Sequence, residues 1–292
     1  MNDPLSEKLA RNAEKSRQLE LGRVLDEPLE RWPTDARAAP NALIRCALFR
    51  ASRGARSGER PMHQGTLVAS LGGMKIVYRG EDLDQKDLDI WMAVLQLYRS
   101  QKVSEVIQVT AGSLLTLAGL SNTGPNHKIL QERLKRLNFT QIEITAEDES
   151  TSKFAFYGPL IQRAERNHEG SHWEISLAPR VRALFTKGYT WIDWEVRQRL
   201  RRSPLAQWLH SFYRSHRHPY NISVEKLWEL SGSGTQDLRF FRSDLKKALR
   251  RVQEACSRYD VVFDWKHIPE LDQIAVRWDN VGGKKLPQEM DD

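Results

Sequence analysis

One order of predicted elements occurs twice along the chain, and this repetition restricts the fold more than any other feature of the sequence. In each copy a helix, a short strand, a helix, a turn, a longer helix and a β-hairpin follow one another. The first copy covers about residues 73–195 and the second covers residues 196–280. Corresponding positions are Trp91 and Trp208, Tyr98 and Tyr213, Thr110 and Ser223, and Gly119 and Gly232. Such an ordered series indicates a duplicated module, although convergent patterning of two ordinary three-helix units would also produce it.

This order is that of a winged helix-turn-helix domain, so the predicted fold class is α+β with two such domains in tandem. In the first copy a turn at residues 121–126 precedes a helix at residues 126–137, and a hairpin that turns at residues 147–153 follows. In the second copy a long helix at residues 237–256 leads into a hairpin that turns at residues 267–272.

The first 72 residues lack a sustained helical or strand pattern and predict a flexible, basic N-terminal arm. Its interruptions are Pro28, Pro33, Pro40 and Pro61. Residues 52–60 have the composition of a loop, and the short apolar clusters at residues 43–44 and 47–49 are too small to form a domain. Residues 281–292 are predicted to be a C-terminal tail.

The composition excludes several protein classes. With 40% hydrophobic residues and nine Trp, nine Phe and seven Tyr, the chain can fill a core and is not disordered throughout. No segment approaches the roughly 18 consecutive apolar residues that a membrane-spanning helix needs, and the start has no apolar signal core. Cys46 and Cys256 have no ligand spacing, which argues against disulfides and structural zinc. We therefore expect a cytoplasmic protein.

Basic residues cluster on the long helix of the second copy, in a chain with 45 Lys+Arg against 38 Asp+Glu. The apolar face of this helix comprises Leu238, Phe241, Leu245, Leu249 and Val252. The neighbouring face comprises Arg239, Arg242, Ser243, Lys246 and Arg250, flanked by Gln253. Arginine and lysine on a recognition helix contact guanine edges and phosphates of duplex DNA, so this face predicts a DNA-binding surface. A solvated helix face is the alternative interpretation.

The corresponding helix of the first copy carries fewer cations. Lys128, Gln131 and Lys135 are predicted to face outward with Arg136 beside them, while Glu132 in the same set weakens attraction to phosphate. We expect this helix to make an auxiliary DNA contact or to form a protein interface.

Arginines also crowd the connection between the two copies. Arg197, Arg199, Arg201 and Arg202 precede residues 203–204, where a serine suits an N-cap and a proline the first helical position. These arginines are predicted to contact DNA phosphates and set the register without reading the sequence. A charged, solvated connector is the alternative.

No arrangement of residues in the sequence predicts an enzyme. The phosphate-binding pattern of P-loop enzymes does not occur. His216 and His218 could be imagined as metal ligands of a nicking nuclease with Tyr213 or Tyr220 as nucleophile, but Arg217 lies between them at a helix end. The sequence predicts a DNA-binding protein with no catalytic residues, cofactor or metal.

Segments across most of the chain resemble the TrfA plasmid replication initiators. The segments that carry the resemblance are residues 39–41, 47–49, 189–190, 200–206, 212–217 and 219–220. The resemblance implies tandem winged-helix domains that bind direct repeats, called iterons, in a plasmid origin. It also implies opening of adjacent AT-rich DNA and recruitment of the host's replication initiator and replicative helicase. Self-association into dimers, with monomers binding the origin, is implied as well.

The family also has a sliding-clamp-binding peptide of the form Gln-Leu-Ser-Leu-Phe near its amino end. Here residues 18–22 read Gln-Leu-Glu-Leu-Gly and lack the terminal aromatic residue that normally anchors such a peptide in an apolar pocket. We therefore do not expect sliding-clamp binding through this segment, and one turn of an amphipathic arm is the preferred interpretation.

Two other functions fit part of the pattern. A transcriptional repressor without initiation activity could be built from the same two modules, and a nicking relaxase would cut one strand through a tyrosine. The plasmid replication initiator is the leading hypothesis because it accounts for both modules and for the family resemblance. In this hypothesis both predicted hairpins lie near the DNA backbone or the minor groove.

Overall fold

The computed structural model describes residues 33–52, 60–98, 106–146, 154–185, 188–259 and 261–280. Its helices are α1 (Asn41–Ile44), α2 (Gln85–Leu97), α3 (Ala111–Leu117), α4 (Gly124–Asn138), α5 (Trp194–Arg199), α6 (Pro204–Arg214), α7 (Val224–Ser231) and α8 (Leu238–Cys256). Its strands are β1 (Ala36–Pro40), β2 (Phe49–Arg50), β3 (Met62–Val68), β4 (Met74–Glu81), β5 (Leu83–Asp84), β6 (Ile107–Thr110), β7 (Gln141–Ala146), β8 (Phe154–Gly158), β9 (Ile161–Arg166), β10 (His172–Leu177), β11 (Tyr189–Asp193), β12 (Ile222–Ser223), β13 (Val261–Ile268) and β14 (Gln273–Asn280). This mixture of helices and mainly antiparallel strands confirms the predicted α+β class.

The second module consists of α6, α7 and α8 with an antiparallel sheet in the order β12-β14-β13. The Ser223 side chain caps α7 by accepting a hydrogen bond from the amide of Lys226, and the helix ends at Gly232 with φ of 56°. A left-handed conformation is easily adopted by glycine, which has no Cβ. Along α8 the predicted apolar residues Phe241, Leu245 and others lie in the core. The predicted cap, helix end and buried face are therefore confirmed.

The first module repeats this order with α2, α3 and α4 and an antiparallel sheet in the order β6-β10-β9. Asp84 and Asp87 form a capping box at the start of α2. Thr110 caps α3 as predicted, and Gly119 follows that helix with φ of 71°. Leu130, among others along α4, is fully buried and packs this helix into the core.

The hairpin predicted for the first module belongs to another sheet. β7 and β8 do pair with each other, but they join β3 and β4 in the order β3-β4-β7-β8, in which Ile76, Ile144 and Phe156 are consecutive cross-strand partners. The hairpin that corresponds to β13–β14 is β9–β10, with its turn at residues 167–171. Most side chains of β9 are exposed, so its sequence gives no alternating pattern. The predicted turn at residues 147–153 lies outside the described residues.

The prediction of a flexible arm is wrong for the described part of the first 72 residues. β1 pairs along its whole length with β11, and Ala36, Ala38 and Ala39 are fully buried. β3 pairs with β4 at the edge of its sheet. Pro40, one of the prolines from which the arm was predicted, is the last residue of β1, where a two-stranded sheet tolerates it, and the small alanines before it are buried in the core. Residues 1–32 and 53–59 lie outside the described residues.

The apolar side chains form two cores, one for each module. Trp194 belongs to the first core and Val196 to the second, so the chain passes from one core to the other within α5. The segment around β2 also contacts both modules, since the Gln85 side chain of the first module donates to the carbonyl of Phe49 at 2.5 Å. The amide of Ala51 donates to the carbonyl of Ser231 at 2.7 Å, and the Trp208 indole donates to the carbonyl of Cys46 at 3.4 Å. Residues from the predicted arm therefore help to join the modules.

Candidate nucleic-acid interface

The outward face of α8 is the largest element of the candidate interface. Arg239, Ser243 and Arg250 are exposed and Lys246 is half-buried, on the side of the helix opposite Phe241. The Arg239 guanidinium lies 4.9 Å from the centre of the Phe240 ring, and its side chain is 77% exposed. An amphipathic helix that buries its apolar face presents these residues to solvent, as the helical period predicts.

Arg242 differs from Arg239, whose ion pair with Asp237 is 3.9 Å long, because it makes short hydrogen bonds to a carboxylate of another element. Its guanidinium donates to both oxygens of Asp272 at distances of 2.7–3.1 Å, and Asp272 lies in the β13–β14 turn with φ of 46°. His267 lies 3.1 Å from the same carboxylate. The hydrogen bond from Arg242 lowers the pKa of Asp272. Arg242 thus fastens the hairpin turn to α8, which the spacing of α8 alone does not reveal.

The outward face of α4 carries the residues that the sequence predicted for it. Lys128, Gln131 and Lys135 are exposed, and Glu132 is exposed among them. Arg136 turns back instead, donating to Asp87 at 2.7 Å and to Glu81 at 3.1 Å. Among the described residues of this face, the cations that point outward are therefore the two lysines, in keeping with its weaker predicted attraction to phosphate.

A buried ion-pair network fixes α4 on α2. Arg133 donates to Asp84 at 2.8 Å and to Asp87 at 2.7 Å, and Arg60 donates to Asp84 at 2.7 Å. Burial by itself would raise the pKa of Asp84, but the charges and hydrogen bonds of Arg133 and Arg60 outweigh it and lower that pKa. The network was not foreseen from the sequence; its signal is the position of Arg133 beside Leu130 and other members of the apolar stripe of α4.

The connector arginines separate into one buried and three exposed side chains. Arg197 is fully buried and donates to Asp89 at 2.6 Å, to the Ser211 hydroxyl at 2.9 Å and to the Gln85 carbonyl at 3.0 Å. The prediction that Arg197 contacts phosphate is therefore wrong, because its guanidinium is used to join α5 and α6 to α2. Arg199, Arg201 and Arg202 are exposed.

Two of the exposed connector arginines are held in place by neutral partners. The Arg199 Nε donates to the Tyr259 hydroxyl at 2.8 Å, and an Arg201 nitrogen donates to the carbonyl of Gly119 at 3.2 Å. A Cβ built on Gly119 would overlap the Gln198 amide, so the α3–α4 turn lies directly against α5. The turn before the outward helix of the first module is thus fixed to the second module.

His216 and His218, the pair that the sequence offers as metal ligands, lie in different surroundings. The His216 ring packs against Phe212 and lies 2.7 Å from its carbonyl, and burial, with the charge of Arg45, lowers the pKa of His216 to about 4. His218 is exposed, whereas Tyr213 is almost fully buried. Among the described residues, no three histidine, cysteine, aspartate or glutamate side chains converge as a metal site would require.

Both cysteines are free and buried, and burial raises the pKa of each thiol to about 12. In the described part of the chain, no helix is both long enough and apolar enough to cross a membrane.

Comparison with known proteins gives one family and a matching fold. The model of the TrfA protein family matches residues 8–263. The plasmid replication initiator protein TrfA of Escherichia coli is 26% identical over 227 residues, which make up 77% of this chain and 57% of that protein. The chain thus spans little more than half the length of this relative.

Two crystal structures of domains 2 and 3 of RctB also align with the chain. The first has a TM-score of 0.51 and 18% identity, and covers 82% of this chain and 96% of that one. The second has a TM-score of 0.47 and 17% identity, and covers 76% of this chain and 92% of that one. The first alignment extends the similarity to the fold.

Proposed function

This chain belongs to the TrfA family, and from that premise we propose that it is a plasmid replication initiator that binds direct repeats in an origin. The proposal depends most on one observation, the exposed basic face of α8 opposite a fully buried apolar face. A relative of the same family is named a plasmid replication initiator protein. Recognition of duplex DNA by a basic helix face accounts for both facts.

Each module acts in this proposal as a winged helix-turn-helix domain. The third helix of each, α4 and α8, enters a major groove, and the hairpins β9–β10 and β13–β14 serve as the wings. The proposed contacts from α8 are Arg239, Ser243, Lys246 and Arg250, with Arg242 positioning the wing through Asp272. The proposed contacts from α4 are Lys128, Gln131 and Lys135, and those from the connector are Arg199, Arg201 and Arg202. The order and packing of the helices support this arrangement.

The remaining parts of the proposal follow from the family. The protein acts in the cytoplasm without catalysis, cofactor or metal, opens DNA beside the repeats, and recruits the host's replication initiator and replicative helicase. It self-associates into a dimer, and the monomer is the form that binds the origin. The segment at residues 18–22, which lacks an aromatic anchor for a sliding clamp, lies outside the described residues.

A footprint on the DNA that flanks the gene tests the proposal. We expect wild type to protect a run of short direct repeats, and the Arg239→Ala/Lys246→Ala/Arg250→Ala variant to lose that protection while its circular dichroism and melting curve stay unchanged. The matched control replaces Lys75, Arg79 and Arg180, which are exposed basic residues outside α4, α8 and the connector. An intact footprint from the α8 variant would overturn the assignment.

Initiation is tested separately from binding. A small circular DNA that carries this gene and its flanking repeats should replicate in a host that lacks the parent plasmid. Repression of the neighbouring promoter without replication would instead favour the repressor.

A further inference from the structure

In the described structure, a cleft between the two modules is lined by five arginines. Its volume is about 1120 Å³, and its walls come from the α3–α4 turn, from α5 and the connector, and from the carboxyl-terminal part of α8 with the short 3-10 turn Ser257–Tyr259 that follows it. Among the described residues its charged lining comprises Arg199, Arg201, Arg202, Arg251, Arg258, Glu195 and Glu254. The cleft therefore carries a net positive charge.

The arginines of this cleft are electrostatically different from the structural arginines. Arg133, Arg136, Arg197 and Arg242 each donate to an aspartate within 3 Å. In the described part of the chain, the five cleft arginines have no carboxylate within salt-bridge distance, and all five side chains are exposed. Their positive charges are thus available to an anionic ligand.

The geometry points to the sugar-phosphate backbone of duplex DNA as that ligand, and we infer that Arg251 and Arg258 bind it together with the three connector arginines. The inference rests on the proposed function and extends the interface to a second side of α8. On that helix Arg251 lies about 100° from Arg250. The cleft is walled by the turn that leads into α4 and by the carboxyl-terminal end of α8, so in this inference a duplex contacted by both helices brings one strand of its backbone to these arginines.

The aromatic residues of the cleft favour a backbone over exposed bases. Single-stranded nucleic acid is usually bound by stacking its bases on open aromatic faces. Here Trp194 is 8% exposed and carries the Arg37 guanidinium over its ring at 4.7 Å. The Tyr259 ring is covered by Arg199, whose guanidinium lies 5.4 Å from the ring centre. Trp194 is thus too buried to stack on a base, and one face of Tyr259 is occupied by Arg199, whereas the guanidinium groups fit phosphate oxygens.

The neutral contacts of the cleft also hold it in shape before any ligand arrives. Arg199 is fixed by the Tyr259 hydroxyl and Arg201 by the Gly119 carbonyl, so each keeps further N–H groups for a second acceptor. Because Gly119 belongs to the first module and Tyr259 to the second, a strand of backbone bound here would contact both modules at once.

The test is the salt dependence of duplex binding by the Arg251→Gln/Arg258→Gln variant. Wild type and variant are titrated by fluorescence anisotropy with a duplex that wild type has selected from a random-sequence pool, between about 50 and 200 mM salt. Loss of two phosphate contacts should lower the slope of log affinity against log salt by about 1.8. The Arg251→Lys/Arg258→Lys variant should restore most of the slope, and Lys75→Gln/Arg79→Gln should leave it unchanged.

Hydroxyl-radical footprinting locates the lost contact. In the variant, protection of the backbone should disappear between the two groove contacts and persist on either side of it. An unchanged slope and footprint would overturn the inference while leaving the proposed function in place, and failure of wild type to select any duplex would overturn the proposed function itself. If the variant keeps the wild-type slope but no longer binds poly-glutamate, the cleft is a site for an acidic protein segment and the inference is wrong.

Discussion

At the scale of single residues, the role of an arginine depends on where its carboxylate partner lies. Arg197 and Arg242 pair with aspartates from other elements and so hold those elements together. Arg199 and Arg202 have no carboxylate partner among the described residues and are exposed. A buried ion pair contributes little to stability when intact, but it is costly to break because one charge remains without a partner.

His210 gives a residue-scale prediction about acid. It is fully buried on α6 beside Trp278, and neither ring nitrogen has a hydrogen-bond partner among the described residues. Burial, with the charges of Arg197 and Arg214, lowers the pKa of His210 to about 3. The unfolded chain takes up this proton near its ordinary pKa of about 6.5, so the protein loses stability as pH falls from there toward 3.

Replacing this ring should remove that part of the acid sensitivity. Between about pH 6.5 and pH 5, the His210→Leu variant should lose roughly 2 kcal/mol less of its free energy of unfolding than wild type does. Urea titrations at several pH values measure it. The exposed His218→Leu variant is the control and should follow wild type. Parallel curves for wild type and His210→Leu would show that this histidine does not determine the acid response.

At the scale of elements, the α3–α4 turn is constrained both by its backbone and by its packing. Gly119 combines a φ of 71° with contact to Gln198, whereas Gly170 has a φ of 70° and open space around it. Gly170→Ala should therefore lower the free energy of unfolding only by the strain of a left-handed alanine, about 1–2 kcal/mol. Gly119→Ala should lower the free energy of unfolding clearly more than Gly170→Ala does. In the double variant Gly119→Ala/Gln198→Ala, where the clashing side chain is removed, the loss should fall to that of Gly170→Ala. Thermal melts measure both, and equal costs at the two glycines would contradict the packing of this turn.

Helices whose apolar residues recur at helical spacing could be predicted from the sequence. Strands that are mostly exposed, or that are short and pair with a distant strand, could not. The stripes of α4 and α8 follow from helical spacing because one face of each is buried, and the large apolar residues of α2 and α6 recur at the same spacing although these two helices are buried on nearly all sides. β3 and β9 are mostly exposed and carry no alternation. β1 is buried on both faces, so its sequence shows no alternation of apolar and polar residues. It pairs with β11, which lies far away in the sequence. Pairing across such distances is a tertiary property.

In the candidate interface, too, side-chain positions set by the helical period could be predicted and those set by distant partners could not. The outward positions of Lys128, Gln131 and Arg250 follow from the period of their own helices. The inward positions of Arg136 and Arg197 depend on aspartates from α2, and no spacing within α4 or α5 reports those partners. The cleft arginines Arg251 and Arg258 likewise meet the connector only through tertiary packing of segments that lie far apart in the sequence.

At the scale of the whole molecule, a buried polar layer fixes one module against the other. Arg197 and Gln207 from the second module both donate to Asp89 of the first, at 2.6 Å and 3.2 Å. Arg197→Met should lower the free energy of unfolding by about 3–5 kcal/mol, because Asp89 keeps a buried charge without its counter-ion. Adding Asp89→Leu to this variant should restore much of the lost free energy of unfolding, because no unpaired charge then remains buried. Urea unfolding measures the change, and the exposed Arg202→Met should stay within about 0.5 kcal/mol of wild type.

In the proposed function, α4 and α8 of one chain enter major grooves of the same duplex. The most direct measurement attaches a DNA-cleaving iron chelate to a cysteine introduced in place of Gln131 or of Ser243, both of which are exposed, while Cys46 and Cys256 are buried. On DNA carrying the repeats, the two positions should cut in neighbouring major grooves, and a chelate at Lys75→Cys should cut neither. Cleavage from the Ser243 position alone, or from neither position on a bound duplex, would contradict the account.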